Sequence, residues 1–196
     1  MDNFPETVED FLDGQILLIN KPLGWTSFDV VKKIKNLIRT KYSLKKIKVG
    51  HAGTLDPLAI GLLIVCTGKF TKLISKIQGQ EKTYTGTITL GGTTPSYDLE
   101  TEVDNNYETA HITEELIKES TTQFIGEIDQ KPPIFSALKK GGERLYEKAR
   151  RGETIEIESR KVTVREFTIT SIENLEVNFE IKCSKGTYIR SIAHDF

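Results

Sequence analysis

A single carboxylate, Asp56, stands in the stretch Gly50-His51-Ala52-Gly53-Thr54-Leu55-Asp56-Pro57-Leu58-Ala59-Ile60-Gly61. Three glycines and a proline in so short a run impose an irregular loop path. Pro57 lacks a backbone donor and biases the residue before it toward an extended conformation. That bias can point the Asp56 side chain out of a tight loop into a cleft. An Asp-Pro pair is also a common turn former, and spacing alone does not rank catalysis above the turn. A phosphate-cradling loop is excluded, because no Gly-Lys-Ser/Thr follows and Gly68-Lys69-Phe70 lacks the hydroxyl. His51, Cys66, His111, Cys183 and His194 show no paired ligand spacing, so no metal is indicated.

The charge is segregated. Lys32, Lys33, Lys35, Arg39, Lys41, Lys45, Lys46 and Lys48 follow one another with no acid among them. A second cluster holds Lys139, Lys140, Arg144, Lys148, Arg150 and Arg151, diluted by Glu143 and Glu147, while acids gather between Glu100 and Glu119. A chain of net charge −1 can thus still present a basic face to phosphates. A solvated helix face accounts for the first cluster equally well.

Elements able to position these groups read as α+β. Ile16 to Ile19 is an apolar strand ended by the turn Lys21-Pro22-Leu23-Gly24. Thr26 and Asp29 have capping-box spacing at the head of a helix in which Val30, Val31, Ile34, Leu37 and Ile38 recur at helical period. Ile47 to Val49 is a short strand, Leu62 to Cys66 a buried one, and Lys69 to Ile77 a helix. Tyr84 to Leu90 alternates as a strand should, and Thr113 caps a helix carrying Leu116 and Ile117. Arg160 to Ile172 and Glu176 to Cys183 form a hairpin that turns near Glu173-Asn174. With 196 residues and 37% hydrophobic content, one large domain or a domain with a small insertion is expected. The acidic N-terminal extension, residues 1–13, has no signal pattern, and the apolar run Leu62 to Cys66 is too short to span a bilayer. Two cysteines make no disulfide framework, so a reducing cytoplasm is the expected location, with no membrane association.

Five motifs in order resemble the TruB-type tRNA pseudouridine synthases. They are Asn20-Lys21-Pro22-Leu23-Gly24-Trp25-Thr26-Ser27, the Asp56 stretch continuing into Leu62-Leu63, and Lys82-Thr83-Tyr84 followed by Leu90-Gly91. The fourth is Gln130-Lys131-Pro132-Pro133-Ile134-Phe135-Ser136-Ala137-Leu138-Lys139 with Arg144-Leu145-Tyr146-Glu147-Lys148-Ala149-Arg150, and the last is Lys185-Gly186-Thr187-Tyr188-Ile189-Arg190-Ser191. The match runs from about Gly14 to Phe196. It implies a pseudouridine synthase fold, a mixed and mostly antiparallel sheet flanked by helices and loops. It also implies an RNA-gripping insertion, taken here as residues 124–152, a composition expected to form a mobile flap without RNA.

By the same resemblance, Asp56 matches the catalytic aspartate of an isomerase that breaks the N1–C1′ bond of a uridine, turns the base over and joins C5 to C1′. No redox change occurs, so no cofactor is expected. Three routes stay open: Asp56 adds to C1′, adds to C6, or supports a glycal intermediate. Arg190 matches an arginine that pairs with the aspartate and keeps it ionised. Tyr84 matches a tyrosine that stacks on the target base and is a candidate for moving a proton from the sugar. Tyr188 matches a second pocket tyrosine, Lys21 a lysine near the pocket, His51 a contact to the everted loop, and Asp98 an acidic RNA-proximal position. Lys139 and Arg144 fall in the RNA-gripping insertion. The implied partner is the T arm of tRNA, with the target uridine conventionally numbered 55, and a monomer is expected.

The overall charge is less basic than a tRNA binder suggests. The chain stops at Ala193-His194-Asp195-Phe196, where the family continues through further sheet residues and often a tail domain, so weak activity of this chain, or none, is expected. Two rival readings come from other classes: a catalytically silent module that binds or folds tRNA, and a nucleoside glycosidase using the same carboxylate. Asp56, Tyr84 and Arg190 together argue against the first, and the basic insertion argues against the second.

Overall fold

The computed structural model describes residues 7–153 and 155–196. The chain divides into two compact units, Met1–Gln80 and Glu81–Phe196.

In the first unit, Val8–Asp13 forms helix α1. Of the N-terminal extension expected over residues 1–13, residues 1–6 lie outside the described residues. Strand β1 (Ile16–Lys21) leads into helix α2 (Ser27–Lys41), then β2 (Val49–His51) and β3 (Gly61–Thr67). The three strands make an antiparallel sheet in the order β1-β3-β2. The capping box at Thr26 and Asp29 is present, each side chain accepting from the other residue's backbone N–H. From that start the helical period places Val30, Val31 and Ile38 in the interior, and Val30 joins Leu63 and Val65 of β3. A 3-10 turn, Gly68–Leu73, runs into helix α3 (Ile74–Gln78), where a single helix was expected. The Thr71 hydroxyl bonds the Gly68 carbonyl at 2.8 Å, competing locally with the α-helical ladder.

In the second unit, β4 (Lys82–Thr89) is followed by the short pair β5 (Gly92–Thr93) and β6 (Asn105–Asn106). Helix α4 (Glu114–Ser120), capped by Thr113, ends in a 3-10 turn at Thr121–Phe124 and leads to β7 (Gly126–Gln130). Next come β8 (Lys139–Lys140), β9 (Glu143–Arg144) and helix α5 (Leu145–Arg150). The hairpin β10 (Arg160–Glu173) and β11 (Glu176–Cys183) and helix α6 (Ile189–Asp195) complete it. The main sheet is antiparallel in the order β4-β11-β10-β7. Period-two alternation buries Val177, Phe179, Ile181 and Cys183 of β11 on one face. They pack with Phe124, Val164, Phe167 and Ile192, and Phe167 meets Phe179 edge-on at 6.1 Å between ring centroids. Gly86 lies opposite Phe179 in the register, and a Cβ there would come within 2.8 Å of the Phe179 ring. Among the described residues, no helix is long and apolar enough to cross a membrane.

Candidate active site

The Asp56 loop connects β2 to β3 and is fixed on both sides of the carboxylate. Upstream, the buried Ser27 hydroxyl accepts from the Leu55 N–H at 2.9 Å and donates to the Leu55 carbonyl at 3.1 Å. The Leu55 side chain packs against the Val30–Leu63–Val65 cluster. Downstream, the Pro57 carbonyl accepts from the Gly24 N–H at 2.9 Å and from Lys21 Nζ at 3.3 Å. The Asp56 carbonyl closes the turn by accepting from Ala59 N–H at 3.1 Å. Gly53 and Gly61 take φ of +127° and +111°, values that a β-carbon disfavours, so the loop enters and leaves where glycine is required. Asp56 itself is half-buried.

Lys21 is the hub of this arrangement. It is fully buried and donates to the carbonyls of Pro22 at 3.0 Å, Trp25 at 2.6 Å and Pro57 at 3.3 Å. Burial lowers its pKa, and the negative charge of Asp56 works in the opposite direction. The first motif and the Asp56 motif therefore meet through one ammonium. His51 sits at the end of β2, opposite Val65, and its Nδ1 bonds the Gly53 carbonyl. A carbonyl can only accept, so Nδ1 carries the proton in that bond, and in the neutral ring Nε2 is left as an acceptor.

In the second unit, Tyr84 lies on β4 opposite Ile181, half-buried against the main core. Arg190 opens α6 and is gripped by two loops. Its Nη1 donates to the Ser96 carbonyl at 2.8 Å and lies 3.4 Å from Asp98 Oδ2, and its Nη2 donates to the Phe135 carbonyl at 3.0 Å. Both charged side chains are mostly enclosed, 13% and 16% exposed, so the pair is screened far less than a surface one. Asp98 Oδ1 also accepts from the Glu100 N–H at 2.9 Å. Tyr188 caps α6, and its backbone is held by Gln130, whose side chain accepts from Tyr188 N–H at 2.8 Å and donates to the Tyr188 carbonyl at 3.0 Å. Burying the Gln130 amide is tolerable because both its ends are bonded.

Lys139 and Arg144 pair across the β8–β9 hairpin, which turns on Gly141-Gly142. Both are exposed, and Arg144 lies over the Tyr146 ring at 5.8 Å and donates to its hydroxyl at 3.2 Å. The structure thus brings Asp56 close to Lys21 in the first unit and Asp98 to Arg190 in the second, with His51 on the strand that enters the Asp56 loop and Tyr188 at the head of α6. Three positioning residues carry no sequence expectation: Ser27, Ser96 and Gln130. All three are buried polar side chains; Ser27 and Gln130 fall inside motif segments, a coincidence that could have marked them, whereas Ser96 lies outside the five motifs. Among the described residues, no group of three or more His, Cys, Asp or Glu could hold a metal ion.

Residues 39–189 match the model of the TruB family pseudouridylate synthase N-terminal domain. The chain is 65% identical over 191 residues to a tRNA pseudouridine synthase B of Flavobacterium johnsoniae, covering 97% of this chain and 83% of that protein. It is 52% identical over 186 residues to the protein of the same name in Parabacteroides distasonis, covering 95% and 79%. Among solved structures it resembles a chain of a Cbf5-Nop10-Gar1 complex, with 28% identity and a TM-score of 0.67. That alignment covers 97% of this chain and 45% of the other, so the chain spans less than half the length of this structural relative. An H/ACA RNP bound to a substrate RNA containing 2′-deoxyuridine matches at 25% identity and a TM-score of 0.64, over 97% and 44%. The α+β architecture, with its antiparallel sheets and flanking helices, is that of the pseudouridine synthase fold. With 151 of its 196 residues inside the family model and relatives above half identity along most of their length, the chain belongs to the TruB family of pseudouridine synthases.

Proposed function

We propose that this chain converts the T-loop uridine of tRNA, position 55, to pseudouridine, with Asp56 as the catalytic carboxylate. The supporting observation is the double fixation of the Asp56 loop, Leu55 by Ser27 and Pro57 by Gly24 and Lys21. A reacting carboxylate must be held within a fraction of an ångström of its target, and a turn that merely reverses the chain has no need of a buried ammonium. Cleavage of the N1–C1′ bond places positive charge on the sugar, and a carboxylate at that point stabilises or traps it. The target base must leave its stack to be reached. Tyr84 then offers a face for it, worth roughly 1–3 kcal/mol per stacked base. Tyr188 serves as the second pocket tyrosine and Asp98 anchors Arg190. His51, through its free Nε2 face, and the exposed Lys139 and Arg144 contact the RNA. Basic side chains of the flap hold phosphates without reading sequence.

The relatives named tRNA pseudouridine synthase B support tRNA as the substrate. The experiment incubates the protein with an unmodified tRNA transcript and with one carrying cytidine at position 55, then maps pseudouridine by chemical probing. Product at position 55 of the first transcript alone supports the proposal. Product elsewhere rejects the position, and binding without product on either transcript rejects catalysis in favour of a silent tRNA-binding module.

A further inference from the structure

Arg190 and His194 lie four residues apart on α6 and so project from one face of the helix, a turn from each other. The loop of residues 94–101 grips both. At the first point, the Ser96 carbonyl accepts from Arg190 Nη1 at 2.8 Å, with Asp98 Oδ2 3.4 Å from the same nitrogen. At the second, the Tyr97 ring lies flat on the His194 imidazole, 3.7 Å between centroids and 10° between planes. The loop is tightly knit between these points. Tyr97 N–H donates to the Thr94 carbonyl, the Thr94 hydroxyl donates to the Asp98 carbonyl at 2.7 Å, and the fully buried Ser96 hydroxyl bonds the Asp98 carbonyl and the Thr101 hydroxyl.

Tyr97 achieves its stack at φ +62°, in the left-handed region that a bulky residue seldom enters. Such a conformation persists only where the surroundings over-determine it. Asp98 follows Tyr97 directly, so the direction of the Tyr97 backbone sets where the Asp98 carboxylate points. Burial together with the charges of Asp195 and Asp104 also pushes the Tyr97 phenol up, as expected of a ring seated against the helix.

We propose that Tyr97 and His194 are positioning residues, whose stacked rings lock the residue 94–98 turn onto α6 and hold the Asp98–Arg190 pair in its working geometry. This rests on the reading of Arg190 and Asp98 as part of the pseudouridine-forming site. Neither ring touches substrate in this role.

The test uses the whole chain in four variants. Tyr97→Gly removes the ring while suiting the left-handed backbone, so the turn is kept and folding is not compromised by strain. Tyr97→Phe and His194→Phe keep two aromatic faces, and His194→Ala removes the second. Two readouts are taken: the Arg190 Nε–Hε resonance in nitrogen-15 NMR, and kcat and KM on unmodified tRNA, with thermal melting as the check on folding. Tyr97→Gly and His194→Ala should broaden or shift the Arg190 resonance and lower kcat about tenfold, as a small misplacement in a site does, with KM within about twofold. Both Phe variants should resemble the wild type in resonance and kcat. An unshifted, sharp Arg190 resonance in folded Tyr97→Gly and His194→Ala would overturn the proposal, as would Phe variants as impaired as the ring deletions. Should the wild type form no pseudouridine, the proposed function fails, whereas the Arg190 resonance still decides whether the stack positions that side chain.

Discussion

The Lys21 ammonium reaches three carbonyls from a fully buried position, two on its own turn and one on the Asp56 loop. Burying a charge is costly unless hydrogen bonds replace its water, and here all three ammonium protons have an acceptor. Lys21→Met keeps an unbranched chain one atom shorter and removes the donors. The three carbonyls then lose a shared partner, at a cost of about 1–3 kcal/mol for buried groups left unmade. A lower denaturant midpoint together with slower turnover is expected, because the Pro57 side of the Asp56 loop loosens. An unchanged midpoint would mean that the carbonyls find water instead. Tyr84 presents a different balance at the same scale. Tyr84→Phe keeps the stacking face and loses only the hydroxyl, so tRNA affinity should hold while turnover falls, if that hydroxyl moves a proton. Full activity in Tyr84→Phe, measured by single-turnover kinetics, would limit the residue to stacking.

Helix α2 places Ser27 beside the Asp56 loop, and its start is fixed by the Thr26–Asp29 box. Thr26→Ala removes one side of that box and should cost about 1 kcal/mol of stability. Hydrogen bonds from the Thr26 hydroxyl and backbone hold the Asp29 pKa below its ordinary 3.8. A carboxylate with a depressed folded pKa contributes stability that is present above its unfolded value and is lost as pH falls through the folded one. The melting difference between wild type and Asp29→Ala should therefore be largest near neutrality and narrow below pH 3.8; a gap that widens in acid would contradict it. Elements with a strong period were legible in the sequence: α2 from its apolar stripe and cap, and β10 and β11 from alternation about Asn174, which takes φ +56° at the turn. The short pieces were not. β8, β9 and α5 are two to six residues long, and no period is visible over such lengths. In the site, Asp56 and Arg190 stood out in ordered motifs. The clamps did not, since Ser27 meets Leu55 across 28 positions, Arg190 meets Ser96 across 94, and Tyr188 meets Gln130 across 58. A long-range hydrogen bond leaves no local signature.

Across the whole molecule, a net charge of −1 coexists with a face of α2 bearing Lys32, Lys33, Lys35 and Arg39, so the distribution of charge matters more than its sum. In the insertion of residues 124–152, β7 belongs to the main sheet, and the segment that leaves it begins after Gln130. Pro132, Pro133 and Leu145 are buried there, while Arg150 pairs with Glu100 and Arg151 with Glu143 and Glu153 at largely exposed sites. Exposed pairs of this kind are worth little, about 0–1 kcal/mol each, so phosphates can replace the glutamates without a large penalty. Residues 131–152 should then exchange amide hydrogens more slowly with tRNA bound than without, and equal protection in the two states would argue against a flap that orders on RNA. The central claim is that Asp56 performs the chemistry on a tRNA uridine. Its most direct test is Asp56→Asn, with pseudouridine formation and tRNA affinity measured on the same preparation. The account predicts no detectable product with Kd within about twofold of the wild type, since only an interaction made in the transition state has been removed. Turnover by Asp56→Asn near the wild-type rate would contradict it.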